Sequence, residues 1–526
     1  MFTGKPALIW ATMANPTPPS AGAGSSSDLP APRGERHTLP AESELRLEIP
    51  HGQSATLRLV TGSAEIFGAE LAEGRPYELG FPGGAKVAVF TWHGCSVDVD
   101  DHGKSLDISY VSEETNANVA YVNTHAQLEA MRVDALAALT AAAAAISDAA
   151  ADPADDEAAN AEGGDGPRVL IIGPSDTGKS SLARVLTAYA VKVGRSPLLL
   201  DLDVSSSALS VPGTISASPI TAEAASPEVH AVPDGGAPAS SSGTAPLTLW
   251  YGSVDPETNP DLYRAQISRL GRDIDLRLSG DIDACASGFV AVSSGWVDGE
   301  GYKLLLHAAD ALRVNVVLVM GHDRLYSMLT THFRKRAEEE KSAIGEDLPA
   351  AVTKKKGQPK VIKLPRSGGV VSRDAAFRRA CRSQSIRRYF YGDKIRSTEG
   401  NLTDRYTPFL MEVPFSDLRL YRLSSVSLSA ALLPVSAKQT TEPVQLTLET
   451  NITPTLVHAV WAVCHPSAVS SYESSGSASD LYLSGVAGFV AVEKVDVDRE
   501  VVSLLSPCAG SLPSSTLLMG DITWME

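Results

Sequence analysis

The run GPSDTGKSS at residues 173–181 fits the pattern G-x-x-x-x-G-K-S/T without a mismatch. A loop of this kind turns its backbone N–H groups inward around a β-phosphate. Gly173 and Gly178 permit the close approach, with Asp176, Thr177 and Ser181 completing the cradle. Lys179 reaches the β/γ oxygens, and Ser180 offers its hydroxyl to Mg2+. The chemistry predicted is the holding of a nucleoside triphosphate. Moving the phosphate needs more: a carboxylate for metal or base, an acceptor, and cations that follow the shifting charge. The best carboxylate is Asp203 in LLLDLDV, with Asp201 at alternate spacing on the same strand; an aspartate beginning a turn is the other reading of each. The third strand, GFVAVSS, ends in Ser293, Ser294 and Gly295, where many phosphate-loop ATPases carry a metal-binding acid. Trp296 beyond it fits either a core aromatic or a platform that stacks a nucleic-acid base. Arg378, Arg379, Arg382, Arg387 and Arg388 recur at helical spacing. A lid over a triphosphate, a contact with RNA phosphate and a solvated face all fit that spacing.

The cradle needs a strand before it and a helix after it. RVLII before the loop reads as a buried strand; Leu182, Val185, Leu186, Tyr189, Ala190 and Val193 recur at helical spacing after it, and Gly194 closes that helix. PLLLDLDV, GFVAVSS and VNVVLVM continue the alternation of apolar strands with helical patterns, which predicts an α/β phosphate-loop domain with a parallel sheet over residues 119–392. Low-complexity inserts interrupt it near 220–246 and 334–360, both reading as solvated loops. Short alternating segments between glycine turns predict an all-β domain over 39–118, and AQLEAMRVDALAALTAAAAAI, residues 126–146, reads as a long helix, followed by a flexible link up to Gly166. Residues 1–38 are rich in Pro, Ser, Ala and Gly and read as a disordered tail. Residues 393–526 return to short strands, broken by the serine-rich SAVSSYESSGSASD, and predict a small C-terminal β-rich domain.

A chain of 526 residues needs several cores, and no apolar run approaches the roughly 20 residues that span a bilayer, so no membrane role is expected. The N-terminus lacks the charged start and apolar core of a signal peptide. Five scattered cysteines without a C-x-x-C pair suit reduced thiols in cytosol or nucleus and no zinc site. The net charge of −17 argues against general nucleic-acid binding. One segment departs from it: Lys354–Arg388 holds 12 Lys and Arg against one acid, Asp374.

Taken with LVTGSAEIFGAEL, AKVAVFTWHGC, YVNTHAQLEAMR, VPGT, GWVDGEGYKLLLHAADAL, LPRSGGVV, IRRYFYG and LLSPCAGSLPSSTLLMGDITWM, in order along nearly the whole chain, these motifs resemble one family. It is the Clp-type polyribonucleotide 5′-hydroxyl kinases, which also supply the Clp subunit of the pre-mRNA cleavage and polyadenylation machinery. The resemblance implies an N-terminal β-sandwich, a central phosphate-loop kinase domain and a small C-terminal domain. It implies ATP and Mg2+ as ligands, a nuclear location, membership of a multi-subunit complex, and as partner the cleavage-factor scaffold that binds the RNA polymerase II tail, with RNA as a further candidate. Carried over by position, it puts adenine contacts on Glu44 and Lys86, the acid that positions the 5′-hydroxyl and metal on Asp203, the RNA clasp on Trp296, and lid arginines on Arg382 and Arg387. Active members follow the strand aspartate as D-x-G-Q, whereas here Val204, Ser205, Ser206 and Ser207 follow Asp203. Fungal members that serve as cleavage-factor subunits have drifted in this way, keeping ATP and losing turnover. The expectation is therefore an ATP-loaded scaffold, with an active RNA 5′-hydroxyl kinase as the alternative.

Overall fold

The computed structural model describes residues 34–525, apart from 51, 81–83, 103–105, 107, 150–163, 207, 223–224, 228–244, 344–357, 393, 397–401 and 426–443. Most of the expected tail, most of the link before Gly166, most of the first insert and the lysines at 354–356 lie outside the described residues.

Alternation of apolar and polar residues builds the first unit as two facing sheets. One orders Glu35–Leu39, Cys95–Asp100, Ala55–Gly62 and Pro76–Leu79; the other orders Ala69–Glu70, Glu65–Ile66, Ala85–Thr91, Ser43–Ile49 and Ile108–Ser112. Leu45, Leu47 and Ile49 from one strand and Val87 and Val89 from its neighbour point into the shared core, where they meet Leu57, Leu59, Val97 and Val99. The intervening Glu44, Arg46 and Glu48 therefore share the outer face. They stand opposite Phe90, Ala88 and Lys86 in the antiparallel register.

The central unit is a seven-stranded sheet in the order Leu247–Trp250, Thr214–Pro219, Leu198–Asp201, Phe289–Val292, Arg168–Ile172, Val316–Met320 and Lys360–Leu364. The last five run parallel, but Thr214–Pro219 is antiparallel to both of its neighbours, so the sheet is mixed rather than wholly parallel. The loop helix covers Lys179–Lys192, and Gly194 follows it with φ 84. Because side chains alternate along a strand, Val169 and Ile171 pack under the loop helix with Leu182 and Leu186, while Leu170 and Ile172 face the other way. On that side lie the helices Pro260–Ser279 and Glu300–Ala311.

Three elements differ from the sequence expectation. The long helix begins at Asn116 rather than Ala126 and runs to Ala149. Its first turns hold Asn and β-branched residues of low helix propensity, and burial of Ala117 and Tyr121 against the sheet decides in favour of helix. The charged insert is not all loop: residues 334–343 continue the helix Asp323–Ala343, with Arg336 paired to Asp310 at 2.5 Å and Lys335 to Glu339 one turn on. The serine-rich stretch folds as Pro466–Ser475 and Ser479–Tyr482. Pro466 stands at the helix start, where its missing N–H costs nothing, and Ala468, Leu481 and Tyr482 are buried.

The C-terminal unit is a second seven-stranded sheet, antiparallel except where Arg419–Ser425 runs parallel to Thr516–Thr523. One face packs on the central unit through Trp250, Ile386, Phe390, Phe489 and Trp524. At the closest approach the Asp521 N–H donates to the Gly252 carbonyl at 2.7 Å, and a Cβ on Gly520 would lie 2.1 Å from that oxygen.

The sandwich is fastened to the loop helix by a buried polar contact. Tyr189 Oη donates to Glu65 Oε1 at 2.5 Å, while Gly68 lies against Val185 and Ala188. Burial pushes the Glu65 carboxyl up to about 7, against the hydrogen bond from Tyr189 and the charge of Lys192. Its folded pKa exceeds its unfolded one, so the folded state binds the extra proton and this group's stabilisation is lost as pH rises toward 7. At roughly 1.4 kcal/mol per pH unit, the loss between pH 4.5 and 7 is about 3 kcal/mol. Glu65→Gln should flatten the urea-unfolding stability over that window. An unchanged pH slope in the variant counts against a raised Glu65.

Candidate functional site

A cleft of about 320 Å³ opens between the polar outer face of the sandwich, the phosphate loop, the 367–371 loop and the helix Ala375–Tyr391. Its volume lies in the range that holds small ligands, roughly 300–1,000 Å³. Glu44, Lys86, Asp176, Thr177, Gly178, Lys179, Ser180, Ser181, Asp203 and Arg382 all line it. Residues from positions 44 to 382 are thus brought to one place by the packing of sandwich on loop helix.

The loop helix is preceded by Gly178, whose φ of 90 suits only glycine comfortably, and no side chain caps it. The helix start therefore lacks a side-chain cap, and its residues Lys179, Ser180 and Ser181 line the cleft, an arrangement that favours an anion. Lys179 is 6 % exposed. Its Nζ donates to the carbonyl oxygens of Gly173 at 2.8 Å and Pro174 at 2.9 Å, two neutral partners for an ammonium with three protons. Burial lowers its pKa, and the carboxylates of Asp203 and Asp176 oppose that shift. A triphosphate fits this set: it brings the negative charge that a buried ammonium and an uncapped helix start both lack. Ser180 and Asp203 are the residues here that would hold Mg2+, and Lys179 with the loop amides would hold the phosphates.

Asp203 lies two residues beyond the strand Leu198–Asp201, rather than at its end. Leu202 N–H still reaches the Val292 carbonyl at 3.0 Å; the chain then turns, with Ser206 N–H donating to the Asp203 carbonyl at 2.9 Å. Ser205 donates twice to Asp203 Oδ1, from its amide at 3.1 Å and from its hydroxyl at 2.7 Å. Asp201, 4 % exposed, anchors this turn: its carboxylate accepts from the amides of Asp203 and Ala208 and from the Ser206 hydroxyl, at 3.0–3.1 Å. Burial, and then the neighbouring Asp203 charge, push Asp201 up to about 7. The structure thus divides the two aspartates, Asp201 supporting the turn and Asp203 facing the cleft.

Trp296 and Arg387 stand apart from the cleft-lining residues. Trp296 is half-buried against the core on the far side of the sheet, so close to Gly301 that a Cβ there would lie 2.6 Å from its ring. Arg387 makes a two-pronged contact with Asp404, both distances 2.8 Å, and stacks on Tyr391. Gly173 sits beneath the cradle, its carbonyl taken by Lys179.

The sequence reading named Arg378 and Asp176 without pairing them, and passed over Arg373, Arg46 and Tyr110. Arg378 donates to Asp176 Oδ2 at 2.6 Å, and the Arg373 amide donates to the same oxygen at 3.1 Å, so the arginine helix is tied to the phosphate loop itself. Asp176 holds a left-handed φ of 56, which aspartate tolerates better than most residues. Buried Arg46 pairs with buried Glu44 at 2.6 Å and donates to the exposed Tyr110 Oη at 3.0 Å, forming a polar wall opposite Gly368 and Gly369. The alternation in SELRLEI was the available signal, since its polar positions share one face.

Family models match the three units in order. The N-terminal beta-sandwich domain of polyadenylation factor matches residues 38–135, the mRNA cleavage and polyadenylation factor CLP1 P-loop matches 173–348, and the pre-mRNA cleavage complex II protein Clp1 matches 406–526. Polyribonucleotide 5′-hydroxyl-kinase Clp1 of Homo sapiens is 36% identical, over 93% of this chain and 96% of its own. The protein of the same name from Danio rerio is 37% identical over 95% and 96%, and protein CLP1 homolog of Dictyostelium discoideum is 33% identical over 93% and 89%. Among solved structures, the wild-type Clp1p–Pcf11p complex superposes with a TM-score of 0.70 at 22% identity, covering 94% of this chain and 99% of that one. A second, describing an extended Pcf11p–Clp1p interface and the basis of ATP loss in a glycine-to-arginine point mutant, gives 0.69 at 23%, covering 94% and 100%. With its three units in family order and relatives above 30% identity along almost its whole length, the chain belongs to the Clp1 family.

Proposed function

We propose that this protein is a nuclear subunit of the pre-mRNA cleavage and polyadenylation machinery that holds Mg-ATP chiefly as a structural ligand and transfers little or no phosphate to RNA. The observation that carries this reading is the double contact of Ser205 with Asp203 Oδ1. A carboxylate that must orient an incoming hydroxyl has one of its two oxygens already engaged, in a turn made where active relatives have Gly-Gln. Phosphoryl transfer gains its rate from such positioning, so turnover suffers far more than affinity. A nucleotide that binds only the folded chain stabilises it by mass action whether or not it is consumed. The cleft joins the sandwich to the central unit, so the ligand would act as a bolt between them.

The second reading, an active RNA 5′-hydroxyl kinase, is supported by the names of the relatives and by Lys179, Ser180 and Asp203 lining one cleft. In that case Lys179 and Arg382 would follow the transferred charge and Asp203 would orient the acceptor, the bound ATP supplying the phosphoryl group and its metal the charge neutralisation. For the partner, the two Clp1p structures solved with Pcf11p support a scaffold subunit of the same kind, the one that also binds the RNA polymerase II tail. We assign it an extended segment docked on the central unit.

Calorimetric titration should show Mg-ATP binding, and Lys179→Ala should weaken it by about 1.5–3 kcal/mol, the value of a charged hydrogen bond. Wild-type protein that binds no ATP ends the nucleotide reading. With labelled ATP and a 5′-hydroxyl RNA, transfer should run at least about a hundredfold below the median enzyme turnover of about 10 per second. The double change Ser205→Gly/Ser206→Gln should raise it; full activity in the wild type, lost in Asp203→Asn, would establish the kinase instead. Fragments of the scaffold subunit should be retained by the immobilised full chain at micromolar concentration, and failure to retain any of them removes the partner assignment.

A further inference from the structure

We propose that Ser205 is an internal phosphoryl acceptor, so that the protein phosphorylates its own cleft once and thereby loosens its hold on nucleotide. This rests on the nucleotide-binding reading above and adds a covalent modification site to it. Ser205, Asp203, Lys179 and Ser180 line the same cleft. The Ser205 hydroxyl donates to Asp203 Oδ1 at 2.7 Å, so its proton is already aimed at a carboxylate while its lone pairs remain for an electrophile. Its position is fixed from below: buried Asp201 accepts the amides of Asp203 and Ala208 and the hydroxyl of Ser206, and Ser206 N–H closes the turn on the Asp203 carbonyl. Ser206 lines the cleft as well, and the two serines differ in where their protons go. Ser206 turns its proton to Asp201 beneath the turn, whereas Ser205 turns its own to the aspartate that faces the cleft.

An acceptor held by the protein itself reacts at high effective concentration, which compensates for a poorly organised external acceptor. The Ser205 oxygen forms a bond to the γ-phosphorus of a bound nucleoside triphosphate. The bond from that phosphorus to the bridging oxygen breaks, and its electron pair leaves with the nucleoside diphosphate. The hydroxyl proton passes to Asp203 and then to solvent. The product is a phosphoserine beside Asp203 in the cleft that receives phosphates, where its charge opposes a second triphosphate. One transfer therefore limits the next.

The full-length protein, treated first with a broad phosphatase that is then removed, is incubated with Mg-ATP, digested and read by mass spectrometry. The peptide containing Ser205 should gain one phosphoryl group, with the site at Ser205, and lose it in Asp203→Asn, Lys179→Ala and Ser205→Ala. A separate readout uses no turnover: in a titration with Mg-ATP, Ser205→Glu should bind about tenfold more weakly than wild type. Mg-ATP binding with Ser205 left unmodified overturns this proposal and leaves the structural-ligand reading standing. Modification confined to another residue, or persisting in Lys179→Ala, also overturns it, the latter by pointing to a contaminating kinase. Failure of the wild type to bind Mg-ATP overturns both.

Discussion

A buried ammonium whose direct hydrogen bonds go to two carbonyl oxygens sets the terms of this molecule. Lys179 cannot leave, because it begins the helix whose apolar face fills one side of the central sheet, and it is not neutralised by its two carbonyl contacts. Burying an unpaired cation is expensive, so the surroundings are arranged to limit the cost. Asp176 and Asp203 stand near enough to hold its charge, and the cleft above leaves space for a polyanion. The uncapped helix start and the polar face of the sandwich border the cleft where that charge lies.

The sandwich is therefore part of the site rather than an appendage. Its inner face is an ordinary apolar core, but the same strands put Glu44, Arg46 and Lys86 on the side that closes the cleft. The contact of Tyr189 with Glu65 and the seat of Gly68 on the loop helix hold that wall beside the phosphate loop. On the opposite flank the C-terminal sheet packs on the central unit through Trp250 and Phe489 and reaches the end of the arginine helix through Ile386 and Phe390.

Much of this was readable from residue order alone. The phosphate loop announces itself because its glycines, lysine and serine have to stand at fixed separations along the chain, and the strands around it are continuous apolar runs. Long-range pairings are another matter. Nothing in the spacing of Asp176 and Arg378, or of Glu65 and Tyr189, marks them as partners, since each pair is brought together by packing across units. Arg387 resembles its neighbour Arg382 in sequence, yet one turn and a half of helix carries it round to Asp404. The early start of the helix at Asn116 was hidden for a related reason, because tertiary burial of Tyr121 outweighs the weak helix propensity of its surroundings. The aspartates of LLLDLDV differ only in depth, a quantity that sequence does not carry.

The bond from Arg378 to Asp176 joins the covering helix to the loop it covers. Any passage into or out of the cleft that lifts this helix has to pull the two charges apart, and Arg378 is about a third exposed, so dissolved ions compete for both. The pair spans 202 residues of chain, so a rise in ionic strength loosens the tie between the cover of the cleft and its floor while the surrounding apolar packing is left as it was.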